Sequence, residues 1–392
     1  MDDLLERVRA LPCGRRLLEA AAGVDGVFLT GGGVRDLLLG REPRELDVVV
    51  EGDVTALAAR LGEVEAVHER FGTATVRAAD CRWDLATARS ETYARAGALP
   101  DVRAAGIEED LRRRDVTVNA LALDLRTGAL RAVEHAREDL EAGRLRVLHD
   151  ASFLDDPTRL WRIARYAARL GFDLEQATAR LAAQAVAAGA LESVSGARIG
   201  NELRRALSEP DPPAALEVAV ELGLAPWLTP DRPRTAVALD LLPGDEGRAD
   251  LVVLAASLHP TQDPDRLLAE LDFTAAERAV LRACLHAAAL AEAAARASRP
   301  SELARVLRGV PVEALAIAGA DGAAAVVNRW LHELRGMRLA ISGDDLIAAG
   351  VQEGPEVGRR LELTLDRRLD GELEAGREAE LSAALQATPP GR

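Results

Sequence analysis

The chain has 392 residues, long enough for two to four domains, and its 48% hydrophobic and 29% charged content excludes wholesale disorder. Its net charge of −15 and pI near 5.0 lack the usual basic signature of a nucleic-acid binder. All 49 basic residues are arginine, a bias of the kind a GC-rich genome imposes, so any RNA contact must come from local arginine clusters. Three cysteines, Cys13, Cys81 and Cys284, are too few and scattered for a disulfide framework or a cysteine zinc site, which fits a reducing cytoplasm. The opening MDDLLERVRALP reads as an acidic amphipathic helix and not a signal peptide. No apolar run reaches the ~20 residues that span a bilayer, so no membrane partner is expected.

Taken in chain order, the first expected elements are a helix over Leu4–Ala10 and a short apolar strand over Val27–Thr30. Gly31-Gly32-Gly33 ends that strand and opens a helix over Val34–Leu39. Leu46–Val50 reads as a second buried strand, with Glu45 and Asp47 two apart at its head and so on one face. A glycine turn opening onto a helix N-terminus suits an anion, and paired carboxylates suit the Mg²⁺ that travels with a triphosphate. The combination points to nucleotidyl transfer.

A helix over Thr55–Leu61 and strands over Ala74–Ala78, Arg82–Ala86 and Ala120–Asp124 complete a small α/β region. Asp84 falls among apolar strand residues, where burial would require a partner, either a shared metal or Arg89. In Asp110-Leu-Arg-Arg-Arg114-Asp115, guanidinium forks can hold a triphosphate while Asp115 accepts from a ribose hydroxyl. In Asp155-Asp156-Pro157, Asp156 caps a helix whose Asp156, Arg159 and Arg162 share one edge. Such an edge can mimic the hydrogen-bonding edge of a base. From Asp139 onward helical periodicity dominates, with breaks near Ser208–Pro213, Thr229–Arg234, Leu242–Arg248 and His259–Pro264. The His149-Asp150 dipeptide is expected at the surface or at a cap.

In order and spacing these blocks resemble the class II tRNA nucleotidyltransferase / poly(A) polymerase family. Its motifs are GGxVRD followed by DxD, then RRDxTxNA, then (E/D)DPxRxxRxxR. The likeness covers residues 27–205 closely, and Ile341–Leu361 looks like a tail segment common in bacterial members. It implies an α+β fold, with a polymerase-β-like nucleotidyltransferase head over residues 1–138. A helical neck over 139–208 would recognise the base, and an all-α body and tail over 209–392 would bind RNA, in a seahorse-shaped protein. It also implies that Gly31, Gly32 and Arg35 meet the triphosphate. Glu45, Asp47 and Asp84 would hold Mg²⁺, Arg114 would contact the nucleotide, and Asp115 the ribose. Asp156 and Arg159 would read CTP and ATP, with Arg162 and Arg165 supporting the nucleotide.

The implied activity is template-independent addition of CMP and AMP to the tRNA 3′ end, by two-metal in-line attack with pyrophosphate release. Alternatives are CC-only or A-only addition, poly(A) synthesis, or an inactive RNA-binding relative. Poly(A) synthesis fits less well, because the chain closes in acidic helices and ATPPGR instead of a long basic extension. Two positions depart from the family pattern: Glu45 stands where the first metal-binding Asp is usual, and Ala197 where SxERIxxEL has Glu. The second change removes a helix-stabilising ion pair from the neck.

Overall fold

In the computed structural model, which describes residues 2–68, 72–259 and 264–387, contacts divide the chain into two units, Met1–Pro226 and Trp227–Arg392. The head–neck division expected near 138 lies inside the first unit. The ATPPGR terminus lies almost wholly outside the described residues, as does most of the expected break at His259–Pro264.

The first unit is built on a seven-stranded sheet. Its members are β1 (Val27–Thr30), β2 (Asp47–Val50), β3 (Glu63–His68), β4 (Thr73–Ala78), β5 (Cys81–Thr87), β8 (Leu121–Asp124) and β9 (Leu130–Ala132). The order is β3-β4-β5-β2-β1-β8-β9. β2 and β5 run parallel and place Asp47 opposite Asp84; the remaining pairs are antiparallel. Between β5 and β8 the chain makes a small hairpin, β6 (Arg89–Thr92) and β7 (Asp101–Ala104). All four residues of β1 are buried, and Phe28 and Val49 pack with Ile107, Leu111 and Ala122. This apolar layer fixes the centre of the sheet, so the polar ends of β1 and β2 emerge at one place.

The expected strands form within a residue or so, but three features differ. β2 begins at Asp47, so Glu45 sits in the preceding loop and strand alternation does not place it. Asp84 is exposed on β5 and accepts from Thr75 Oγ1 at 2.7 Å, so its neighbours Trp83 and Leu85 carry the burial instead. Cys13 and Cys81, 68 positions apart, form a disulfide, with Cα atoms 5.5 Å apart. It joins the start of the helix Gly14–Ala21 to the start of β5. Scattered spacing gave no sign of it, because the pairing is made by tertiary packing.

Helices follow the sheet in the first unit, notably Thr158–Leu170, Gln176–Ala187, Gly196–Leu207 and Pro212–Glu221. Thr158–Leu170 has the 3.6-residue spacing of a half-buried helix: Leu160, Trp161, Ile163 and Ala164 are inside. Glu209 is buried where it takes Arg165 Nε at 2.9 Å and Arg169 Nε at 2.6 Å, while Glu202 takes Arg165 Nη1 at 3.1 Å. The helix Gly196–Leu207 forms with Ala197 in place, anchored by these pairs.

The second unit is helical among its described residues. Its helices include Arg232–Leu241, Ala249–Ser257, Ala275–Leu285, Ala287–Arg296, Pro300–Leu307 and Pro355–Leu369. Leu251–Ser257 is buried on every side, the mark of a central helix. The break expected at 242–248 falls between helices, while those at 208–213 and 229–234 run two or three residues into the helices Pro212–Glu221 and Arg232–Leu241, which Asp211 and Asp231 cap through Ala214 and Arg234 N–H groups. Among the described residues no helix is long and apolar enough to cross a membrane.

Candidate nucleotidyl-transfer site

Gly31 opens the site. It has φ +65°, and a Cβ there would lie 2.8 Å from Arg114 Nη1, so a side chain would be strained on the backbone and would push the guanidinium aside. Arg114 is held by the fully buried Asp110, whose Oδ2 accepts Arg114 Nη2 at 3.0 Å while Oδ1 accepts Arg113 Nη2 at 2.7 Å. Burial alone would raise the Asp110 pKa, but Arg114 and Arg113 hold it below the usual range. Two guanidinium groups are therefore presented beside Gly31 and Gly32 in a cavity of about 400 Å³ that Asp47 also lines.

Asp115 also lines that cavity, although it is only 3% exposed. Its Oδ1 accepts Val116 N at 2.9 Å and Asn119 Nδ2 at 3.4 Å; its Oδ2 accepts Tyr166 OH at 2.7 Å and pairs with Arg162 Nη2 at 2.8 Å. Burial pushes this carboxyl up, but Arg162, Tyr166 and the Val116 N–H more than offset that and hold it at about 2. It is a carboxylate at any physiological pH.

The helix Thr158–Leu170 supplies the opposite wall. Asp156 Oδ1 accepts Thr158 N at 3.2 Å, Thr158 Oγ1 at 2.7 Å and Arg198 Nη2 at 2.9 Å, leaving Oδ2 without a donor among the described residues. Arg159 is buried, and donates from Nη1 to Ser152 Oγ at 2.7 Å and from Nη2 to the Arg113 carbonyl at 2.8 Å. The Asp156–Arg159–Arg162 edge thus does face the same cavity as Arg114 and Asp115.

Two expected residues sit elsewhere. Arg35, 2% exposed, donates to Asn119 Oδ1 at 2.6 Å and to Asp36 Oδ1 at 2.9 Å. Arg165 is held by Glu202 and Glu209. Both arginines line a neighbouring cavity of about 240 Å³ together with Gly32, Glu45 and Asp47.

The carboxylates line a third cavity of about 400 Å³ that contains Glu45, Asp47 and Asp84, with Cys13 and Arg82 on its wall. Burial, then Glu45, push Asp47 up to about 6 against the pull of Arg114, with Asp84 adding to the rise. Among the described residues, no group of three or more His, Cys, Asp or Glu side chains is placed to hold an ion as it stands. Mg²⁺ does not need one: it binds through one or two carboxylates and takes its other oxygens from phosphate and water. An Asp strained by neighbouring negative charge, next to arginines suited to phosphate, fits that chemistry.

Motif reading missed Glu91, Tyr93 and Tyr166, all on the first cavity. Glu91 Oε1 accepts Arg113 Nη1 at 3.0 Å and Oε2 accepts Tyr93 OH at 3.0 Å. One signal existed: the chain has only two tyrosines, and both face this cavity. Several arginines that stand in adjacent pairs along the helices, and so could meet RNA phosphates, are partly engaged within the protein. Arg205 pairs with Glu202, Arg359 and Arg360 with Glu356, and Arg368 with Glu380.

Residues 27–146 match the Poly A polymerase head domain, and residues 171–233 match the family described as a probable RNA and SrmB-binding site of polymerase A. A CC-adding tRNA nucleotidyltransferase from Deinococcus radiodurans is 37% identical over 95% of this chain and 93% of its own length. The chain belongs to the tRNA nucleotidyltransferase / poly(A) polymerase family. An A-adding tRNA nucleotidyltransferase from Geobacter sulfurreducens is 34% identical over 92% of this chain and 45% of its own. The chain spans about half or less of the length of the A-adding relatives it matches. The structure of a CCA-adding enzyme from Thermotoga maritima, complexed with tRNA-CCA, superposes with TM-score 0.74 at 28% identity, covering 98% of this chain and 97% of that one. The family's polymerase-β-like head accounts for the sheet carrying the carboxylates.

Proposed function

We propose that this protein extends the 3′ end of tRNA with CMP and AMP from CTP and ATP, without a template, releasing pyrophosphate. The observation that carries this is Asp47, which lines the arginine cavity, the carboxylate cavity and the Arg35 cavity at their meeting point. In this reading Arg113 and Arg114 clamp the triphosphate beside Gly31 and Gly32. Asp156, through its donor-free Oδ2, and Arg159, through N–H groups not spent on Ser152 or Arg113, read the Watson–Crick edge. Arg162 and Arg165 hold that wall in place. Mg²⁺ on Glu45 and Asp47, with Asp84 adjacent, would supply charge neutralisation and lower the pKa of the attacking 3′-hydroxyl. The division of labour in this reading is a head over 1–138, a base-recognising neck over 139–208 and an RNA-binding body and tail over 209–392; the head match at 27–146 supports the first part, and the RNA-binding match at 171–233 straddles the other two. The place of action is the cytoplasm, where tRNA is matured, although the Cys13–Cys81 disulfide runs against the redox argument for that compartment.

A narrower activity, CC addition alone, is favoured by the end-to-end likeness to the Deinococcus enzyme. Incubating the protein with Mg²⁺, labelled CTP or ATP, and tRNAs ending before CCA or after CC separates the readings. CCA completion on both substrates is the expected result. CC or A addition alone would establish a partial enzyme, and long A-tails a poly(A) polymerase. No incorporation by the wild type, with incorporation restored by Glu45→Asp, would identify the longer carboxylate as the lesion. Asp47→Ala should abolish every incorporation with the fold intact.

A further inference from the structure

The Cys13–Cys81 disulfide takes no part in phosphoryl chemistry, yet it stands on the wall of the carboxylate cavity. Three stretches of chain line that cavity. They are the turn at residues 11–13, residues 42–47 with Glu45 and Asp47, and the start of β5 through Asp80, Arg82 and Asp84. The disulfide ties the first stretch to the third.

The second stretch is the one that needs walls. Residues 41–46 belong to no helix or strand, so Glu45 takes its position from what packs around it and not from a backbone ladder. The turn at 11–13 lies between the helices Asp2–Ala10 and Gly14–Ala21. Gly14 sits so close under the Val8 carbonyl that a Cβ would lie 1.7 Å from the oxygen, which pins the turn to its own helix pair. The disulfide is the covalent tie that pins it to the sheet. Both cysteines are half-buried, so the bond is within reach of a small thiol, whereas Cys284 is enclosed.

Resting on the metal reading above, we propose that the Cys13–Cys81 pair is a thiol–disulfide exchange site that sets how tightly the carboxylate cavity holds its cation. The reductant is a dithiol. One of its thiolates attacks a protein sulfur, the Cys13–Cys81 bond breaks as a mixed disulfide forms, and the second thiolate displaces the protein from it. Two electrons and two protons end on Cys13 and Cys81, and the reductant leaves as its own disulfide. Closed, the bond holds the turn against β5 and limits the positions open to the Glu45 segment. Open, the wall relaxes, and the cost of ordering it falls on cation binding.

The test measures Mg²⁺ binding by calorimetry to the full-length protein, oxidised and after reduction with dithiothreitol and exchange into oxygen-free buffer. Thermal melts and amide hydrogen exchange of residues 41–46, both without Mg²⁺, accompany it. Reduction should weaken Mg²⁺ binding about fivefold, speed exchange in that segment and lower the melting temperature by about 10 °C. Cys13→Ser and Cys81→Ser should each match the reduced form before and after reduction, and Cys284→Ser should keep the full response. Equal Mg²⁺ affinity in the two redox states overturns the proposal while the metal reading stands, because the bond then braces only the fold. A response that survives in Cys13→Ser, or loss of the folded state on reduction, overturns it too. If no form binds Mg²⁺, the metal reading itself fails and the proposal with it.

Discussion

Asp47 combines partial burial, two neighbouring carboxylates and a nearby arginine in one residue, and the balance raises its pKa to about 6. Because the folded protein holds this proton more tightly than an unfolded chain does, Asp47 favours the fold at low pH. That contribution is lost as pH rises through about 6. A divalent cation has the opposite preference, since it binds only the carboxylate. Apparent Mg²⁺ affinity measured by calorimetry should therefore be level above pH 7 and fall by up to about tenfold per unit below pH 6. Asp47→Asn should abolish the dependence, and an affinity constant from pH 5 to 7 would contradict the placement of the ion. Arg159 adds a second expectation. Because its guanidinium is buried against Ser152 and the Arg113 carbonyl, Arg159→Ala should cost about 2 kcal/mol of stability as well as blur the choice between CTP and ATP. Competition kinetics with both nucleotides, alongside melts, would check this; unchanged discrimination would remove Arg159 from base reading.

Among the elements, β1, the glycine turn and β2 were legible because burial, β-branching and a forced positive φ each leave a mark in the sequence. β3 was not. Its Val64 and Val67 are 41% and 50% exposed at a sheet edge, and a register shift between Val64 and Ala66 breaks the alternation. The hairpin of β6 and β7 was hidden by the polar strings RSET and DVRA, and with it went Glu91 and Tyr93. The motif arginines were legible as residues but not as contacts. Spacing placed Arg162 and Arg165 on one helix, and only tertiary packing shows that one pairs with Asp115 and the other with Glu202 and Glu209. The Glu209 clamp joins the helix Thr158–Leu170 to the end of the helix Gly196–Leu207, which carries Ala197 in place of the family's Glu. Glu209→Ala takes from Arg169 its carboxylate partner and leaves Arg165 with Glu202 alone, and should destabilise the first unit by about 3 kcal/mol. Denaturant unfolding would measure it, and a loss below about 0.5 kcal/mol would show the neck is held by other contacts.

Taken whole, the molecule is strongly acidic yet concentrates arginines on one cavity, so local placement and not net charge decides what it can bind. The Cys13–Cys81 link closes a loop of 68 positions within the unit that carries the site, whereas Cys284 is buried and its thiol is pushed up to about 12, mainly by burial. Thiol titration of the denatured, unreduced protein should therefore find one reactive cysteine, and three after reduction. Three without reductant would show the pair to be open. If the proposed function holds, nucleotide and metal meet where the three cavities join at Asp47. The most direct measurement is a crystal structure of the protein grown with Mg²⁺ and CTP. The triphosphate should lie between Gly31 and Arg114, with an ion on Asp47 and the cytosine edge against Asp156 and Arg159. CTP bound in another cavity, with those carboxylates bare, would contradict it.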